Sequence, residues 1–203
     1  MKNLFKCRAS GGGALMTNPR SKSEMLSETT KTFVENWLKE GIYGIKNEIN
    51  SKYLTKGIEL EDEAIDKAIA WLDIPFAIKN EQFFEDEYFT GTPDLILDDE
   101  VLDIKNSWDA FTFPLFEKEI PTKAYFYQLQ IYMHLTGKSK ARLVYLLLNT
   151  PEKLTYEPQH KYDNVDKKYR IKTFSIQYDA ELIKEMQTRV ETVREYITQL
   201  TNE

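Results

Sequence analysis

Between Gly91 and Lys105 the chain reads Gly-Thr-Pro-Asp, Leu-Ile-Leu, Asp-Asp, Glu-Val-Leu and Asp-Ile-Lys. Two apolar runs about the turn-like pair Asp98-Asp99 make a β-hairpin pattern. If those two residues form the loop, Leu97 faces Glu100. The same register carried outward sets Asp94 opposite Asp103. Directly opposed residues on one sheet face hold their Cβ atoms about 4.5–5.5 Å apart. Two carboxylates at that spacing repel unless a cation lies between them, and a hard divalent ion prefers such oxygen ligands. Lys105, two residues past Asp103, points to the same face. An acid pair with an ammonium beside it suits metal-dependent hydrolysis of a phosphodiester.

The remaining composition narrows the ligands to oxygen. Cys7 is the single cysteine, which excludes an internal disulfide and a four-cysteine metal or iron–sulfur site within one chain. His134 and His160 are too few for a histidine cluster. The net charge of −6 argues against a nucleic-acid partner, but its distribution matters more than its total. From Met1 to Ser23 every charged side chain is basic, and from Glu81 to Asp103 every one is acidic. An acidic centre that draws in metal, beside basic segments for phosphates, is what a metal nuclease needs. A solvated surface of mixed charge is the plainer account of the same pattern. No apolar run approaches the roughly 18 residues of a membrane span, and no long apolar segment follows the basic N-terminus. A cytoplasmic protein without a signal peptide is therefore expected.

The chain has the length of one domain: a basic and helical segment over 1–55, a core over 56–148, and a loop, strand and helix over 149–203. A first helix is predicted over Ser21–Gly44, with Ser21 and Glu24 as a capping box. Lys56-Gly57 precedes a second, Ile58–Leu72. Strands begin in Glu81–Thr90, ahead of the hairpin. A third helix spans Lys123–Thr136, with Gly137 at its end. Ala141–Leu148 suits a buried strand. Phe174, Ile176 and Tyr178 alternate as in another. Asp179 caps a last helix whose stripe is Leu182, Met186, Val190, Val193, Ile197 and Leu200. The order implies a mixed sheet flanked by helices.

Two helical residues join the constellation. Glu61 stands in line with the apolar side Ala64, Ile65, Ala68, Ile69 and Leu72. An inward carboxylate needs a partner, which a metal or its water supplies; the alternative places Glu61 at the stripe's edge. Gln128, with Tyr132 four residues on, shares a side with Ala124, Ile131 and Leu135. A buried amide there holds a water, a metal-bound group or a phosphate oxygen; an ordinary half-exposed glutamine is the alternative. Trp108, Phe111 and Phe113 are read as packing residues before base-stacking ones.

Lys56-Gly57-Ile58-Glu59-Leu60-Glu61, Gly91-Thr92-Pro93-Asp94, Asp103-Ile104-Lys105 and Gln128-Leu129-Gln130-Ile131-Tyr132, in that order, resemble the motif series of the PD-(D/E)xK nuclease superfamily. The branch most resembled is the lambda-type phage exonucleases, including the YqaJ-like viral recombinases, and Arg8-Ala9-Ser10 resembles its N-terminal segment. The resemblance implies an α/β, restriction-endonuclease-like fold with a central mixed sheet. It implies Asp94 and Asp103 as metal ligands, with the Ile104 carbonyl nearby and Glu61 on a second metal or its water. Lys105 orients or activates the attacking water, with a lowered pKa if it is desolvated near cations. Gln128 and Tyr132 complete the site. Arg8 and Ser10 contact DNA phosphates, with Tyr132 also counted as DNA-binding; Ser107, just past the lysine, is read from its position as a further phosphate contact. The branch usually carries Glu where this chain has Asp103. The implied activity is Mg²⁺-dependent (Mn²⁺ substituting) 5′-to-3′ exonucleolysis from double-stranded DNA ends. Its setting is phage recombination beside a single-strand annealing protein, with a homo-oligomer such as a trimer. Open beside it stand an endonuclease or junction resolvase of the same superfamily and a catalytically idle DNA-binding or assembly protein.

Overall fold

The computed structural model describes residues 5–47, 51–155 and 160–201. In chain order these form β1 (Cys7–Arg8), α1 (Gly12–Leu15), α2 (Glu28–Tyr43), α3 (Lys52–Glu59), α4 (Glu61–Trp71), β2 (Phe84–Glu85), β3 (Phe89–Gly91), β4 (Leu95–Ile96), β5 (Glu100–Asn106), α5 (Lys123–Thr136), β6 (Lys140–Leu146), β7 (Ile171–Gln177) and α6 (Ala180–Thr201).

The main sheet runs β4-β5-β6-β7. β4 and β5 are antiparallel, with Leu95 opposite Leu102 and Ile96 opposite Val101. Leu97 N–H donates to the Glu100 carbonyl at 2.8 Å and closes the Asp98-Asp99 turn. The ladder ends at Leu95 and Leu102, and Asp94, one residue beyond it, reaches β5 through its side chain, whose Oδ2 accepts the Ile104 N–H. β5 and β6 are parallel, and α5 is the crossover between them. Its C-terminus is Gly137 at φ 68°, a left-handed cap that glycine adopts without strain. β7 pairs antiparallel with β6.

Both faces of this sheet are covered. On one, Ala64, Ile65 and Ala68 of α4 pack against Leu95, Leu102, Val144 and Leu146. On the other, Val101, Leu143 and Tyr145 join the core that includes Leu129 and Met133 of α5 and Met186 and Val190 of α6. That is why β6 is apolar at consecutive positions rather than alternating ones. The fold is mixed α/β with helices flanking the sheets, as expected.

Several local expectations shift. β2 and β3 belong to a second, three-stranded sheet, β1-β3-β2, in which β1 runs parallel to β3. The first helix begins at Glu28 rather than Ser21, because Ser27 rather than Ser21 accepts the Thr30 N–H, at 3.0 Å. The second helix is two: the chain breaks at Leu60 (φ −104°, ψ 9°), so Lys56 and Gly57 lie inside α3 rather than ahead of a helix. Asp179 caps α6 through Oδ1, which accepts the Glu181 and Leu182 N–H groups. The buried stripe of α6 contains Ile183, however, while Leu200 is 40 % exposed. The aromatics of the long connection divide. Phe113 is buried, Trp108 is half-buried edge-on to Tyr53, and Phe111 is 99 % exposed, so packing does not account for it.

Candidate active site

Pairing of β4 with β5 stops at Leu95–Leu102, and the edge of β5 beyond it opens onto a cleft of about 830 Å³. Asp94, Asp103 and Lys105 line the cleft on the strand side. Tyr125, Gln128 and Tyr132 approach from α5, and α3 with the first turn of α4 forms the opposite wall. Gly91 has a reason to be glycine: a Cβ there would fall 2.7 Å from Tyr132 Cε1. Only a bare backbone lets β3 lie against that ring.

The acid pair is tightly organised. Asp94 Oδ2 accepts the Ile104 N–H at 2.6 Å. Asp103 is 2 % exposed, and its Oδ1 accepts from Gln128 Nε2 at 3.1 Å. The same amide nitrogen reaches Tyr132 Oη at 3.0 Å. Lys105 Nζ lies 2.8 Å from Asp103 Oδ2. At that distance the ammonium is in direct ion-pair contact with the buried Oδ2. Gln128 is thus buried, not half-exposed, and it orients Asp103.

Electrostatics follow from burial. Desolvation, then the charge of Asp103, pushes the Asp94 carboxyl up to about 7. The Ile104 N–H and Lys105 oppose the rise without cancelling it. Burial also works against the Lys105 ammonium, but contact with Asp103, with Asp94 and Tyr125 behind it, outweighs that and holds its pKa above the ordinary lysine value. Without a cation beside it, Lys105 is thus held charged by its direct contact with Asp103. Burial, with Asp103 nearby, also raises the Tyr132 phenol.

These groups fit a hard divalent cation. The donors are all oxygen. Asp103 Oδ2 is a buried carboxylate oxygen met by a positive charge, the Lys105 ammonium at 2.8 Å. The facing Asp94 is destabilised by a like charge that a cation would neutralise. Glu61 does not complete a ready-made cage. It sits exposed on the first turn of α4 and pairs with Lys79 at 2.7 Å. The break at Leu60 turns Ala64, Ile65 and Ala68 inward and leaves Glu61 on the cleft rim, so the inward carboxylate expected from the stripe is corrected to its edge. Among the described residues no group of three acidic, histidine or cysteine side chains is gathered closely enough to hold a metal.

The other expected DNA contacts are spread out. Ser107 lines the cleft and is 6 % exposed, with an unpartnered Oγ. Arg8 and Ser10 are exposed on β1 and the turn after it, outside the cleft lining. Ala9 between them packs beside Gly91. Tyr125 joins the site with a signal in the sequence: Tyr125, Gln128 and Tyr132 step by three and four along one helix face, and Lys105 Nζ lies 4.9 Å from the Tyr125 ring centroid. Lys79 carried no sequence signal, and Lys56 only its place at the head of the Lys56–Glu61 motif.

No family model matches the chain, and no curated protein does. Among solved structures, the chain is similar to a phage-related exonuclease from Haemophilus somnus 129PT. The two are 31 % identical over 100 % of this chain and 98 % of that one, with a TM-score of 0.87. It shares its fold with an alkaline exonuclease, LHK-Exo, from Laribacter hongkongensis, at 20 % identity, TM-score 0.69, and 98 % and 95 % coverage. A second structure of that enzyme, in complex with dAMP, matches at 19 % identity and the same TM-score over 97 % and 93 % of the two chains.

Proposed function

This chain belongs to the family of phage-related exonucleases, and we propose that it hydrolyses DNA phosphodiesters from double-stranded ends, 5′ to 3′, with Mg²⁺ or Mn²⁺ held by Asp94 and Asp103. The observation that carries this reading is the convergence of Asp94, Asp103 and Lys105 at the open edge of β5. The same set supports a place in the PD-(D/E)xK superfamily.

Asp94, Asp103 and the Ile104 carbonyl hold the cation, which when bound supplies an acidified water and charge neutralisation at the phosphate. Gln128 keeps Asp103 Oδ1 occupied, which would leave Oδ2, now beside Lys105, to the cation. Lys105 orients the attacking water and offsets phosphate charge. Tyr132 fixes Gln128 through its hydroxyl. Glu61, now paired with Lys79, would be the residue to hold a second cation or its water. Ser107 Oγ, Arg8 and Ser10 contact phosphates of the DNA. A cleft of this size accommodates a nucleoside monophosphate product, the class of molecule bound in the alkaline exonuclease complex. A homotrimer and a single-strand annealing protein are the partners this reading nominates.

The test uses linear duplexes labelled at the 5′ or 3′ end and a covalently closed circle, each with Mg²⁺ and with EDTA. The expected result is release of 5′-terminal nucleotides from linear DNA in Mg²⁺ alone, with the circle intact. Cutting of the circle assigns an endonuclease. Binding without cleavage assigns an idle DNA-binding protein.

A further inference from the structure

We infer that Lys56 is a positioning residue whose buried ammonium anchors α3 to the ends of the two central strands and so sets the width of the DNA cleft. The inference rests on the reading that this cleft takes DNA. Lys56 is 1 % exposed. Its Nζ donates to three backbone carbonyls: Ser107 at 2.7 Å, Trp108 at 2.9 Å and Leu148 at 2.9 Å. An ammonium has three protons to donate, so all are used. Ser107 and Trp108 directly follow β5, and Leu148 lies just past the end of β6. One side chain therefore joins a wall of the cleft to the strand that carries Asp103 and Lys105.

The rest of α3 explains why that joint matters to the cleft more than to the core. Lys56 is the helix's one buried residue. Tyr53, Leu54 and Ile58 are 59 %, 51 % and 64 % exposed, and all three line the cleft. An eight-residue helix has no independent stability in water, and α3 lacks an inward apolar face to dock it. Tyr53 stands edge-on to Trp108 at 5.0 Å, and Lys153 pairs with Glu59 at 2.8 Å on the surface. Both are weak ties beside three charge-assisted hydrogen bonds. The carbonyl partners bear no formal charge, and burial pulls the ammonium down to about 8, with Asp109 supporting the charged form. Removing the ammonium would orphan the Ser107 and Leu148 carbonyls unless α3 moved away to let water reach them, while the Trp108 carbonyl would keep Thr150 Oγ1 at 3.0 Å. Movement of α3 widens the cleft without touching Asp94 or Asp103.

The experiment compares the full chain with Lys56→Met and Lys56→Gln, the second retaining two donors. Hydrogen exchange reads the amides of α3. Fluorescence anisotropy in EDTA reads affinity for a blunt duplex, and steady-state cleavage in Mg²⁺ separates KM from kcat. For Lys56→Met the expected result is lost protection over 52–59, with the amides of β5 and β6 still protected. KM and Kd for DNA should rise about tenfold and kcat change less than about threefold, with Lys56→Gln between it and the wild type. Unchanged α3 protection, or a lowered melting temperature with unaltered KM and Kd, overturns the inference. If Lys56→Met does not fold, Lys56→Gln carries the same comparison. Wild-type protein that neither binds nor cuts DNA refutes the proposed function instead, while hydrogen exchange still decides whether Lys56 anchors α3.

Discussion

Replacing Asp94 with asparagine separates the electrostatic cost of the acid pair from its chemical use. Asparagine keeps an oxygen to accept the Ile104 N–H, now at 2.6 Å, and removes the charge that faces Asp103. In the metal-free protein the carboxyl is raised from 3.8 to about 7. At roughly 1.4 kcal/mol per unit this caps the cost of ionising it at about 4 kcal/mol. Asparagine recovers only part of that, because it also gives up the attraction of Lys105, and a realistic gain is about 1–2 kcal/mol. For a chain of this size each kcal/mol moves the melting temperature by roughly 2–4 °C. In EDTA at pH 8, Asp94→Asn should therefore melt about 3–6 °C above the wild type. The folded pKa lies above the unfolded one, so the wild type's contribution from this group is complete below about pH 4 and is lost as the pH climbs through 7. The advantage of the variant should accordingly vanish near pH 4 and be full at pH 8. Adding Mg²⁺ should raise the melting temperature of the wild type only, and cleavage by the variant should fall at least about a hundredfold. Circular-dichroism melts at the two pH values, with and without Mg²⁺, measure all of this. A variant less stable than the wild type in EDTA at pH 8, or equally shifted at both pH values, refutes the electrostatic account.

Lys105→Ala should lower cleavage at least about a hundredfold while leaving the circular-dichroism spectrum native; retained metal-dependent activity in the purified variant would remove Lys105 from the site. Gly13→Ala should destabilise by about 1–3 kcal/mol, because its Cβ would fall 2.6 Å from Ala124 Cβ where α1 meets α5; an unchanged denaturant midpoint contradicts that contact. Phe111→Ser should leave stability within about 0.5 kcal/mol, since the ring is 99 % exposed; a larger loss in denaturant titration would mean that the ring packs against something.

The acid pair was legible because its geometry is local. A two-residue turn sets the register of the strands that leave it, and the apolar alternation admits no slip. The end of α5 at Gly137 and the Asp179 cap of α6 were legible for the same reason, each depending on neighbours within a few residues. Gln128 was half-legible. Its helix face was readable, but its burial depends on Asp103, twenty-five positions away.

Chain-distant partners decided the rest. β1 exists because Cys7 and Arg8 meet Phe89 and Thr90 across the chain. Lys79, which pairs with Glu61 on the rim, lies in another segment. Lys56 was legible only as the head of a motif, and the backbone carbonyls of two strand ends that converge on it come from distant segments. The sequence by itself determined that two carboxylates and a lysine would share one edge of a hairpin, because turn geometry and side-chain alternation act over a handful of bonds. Only the tertiary structure decided which distant groups orient them, which compete with them and what holds the facing wall, because those contacts are chosen by packing between segments that no local pattern relates.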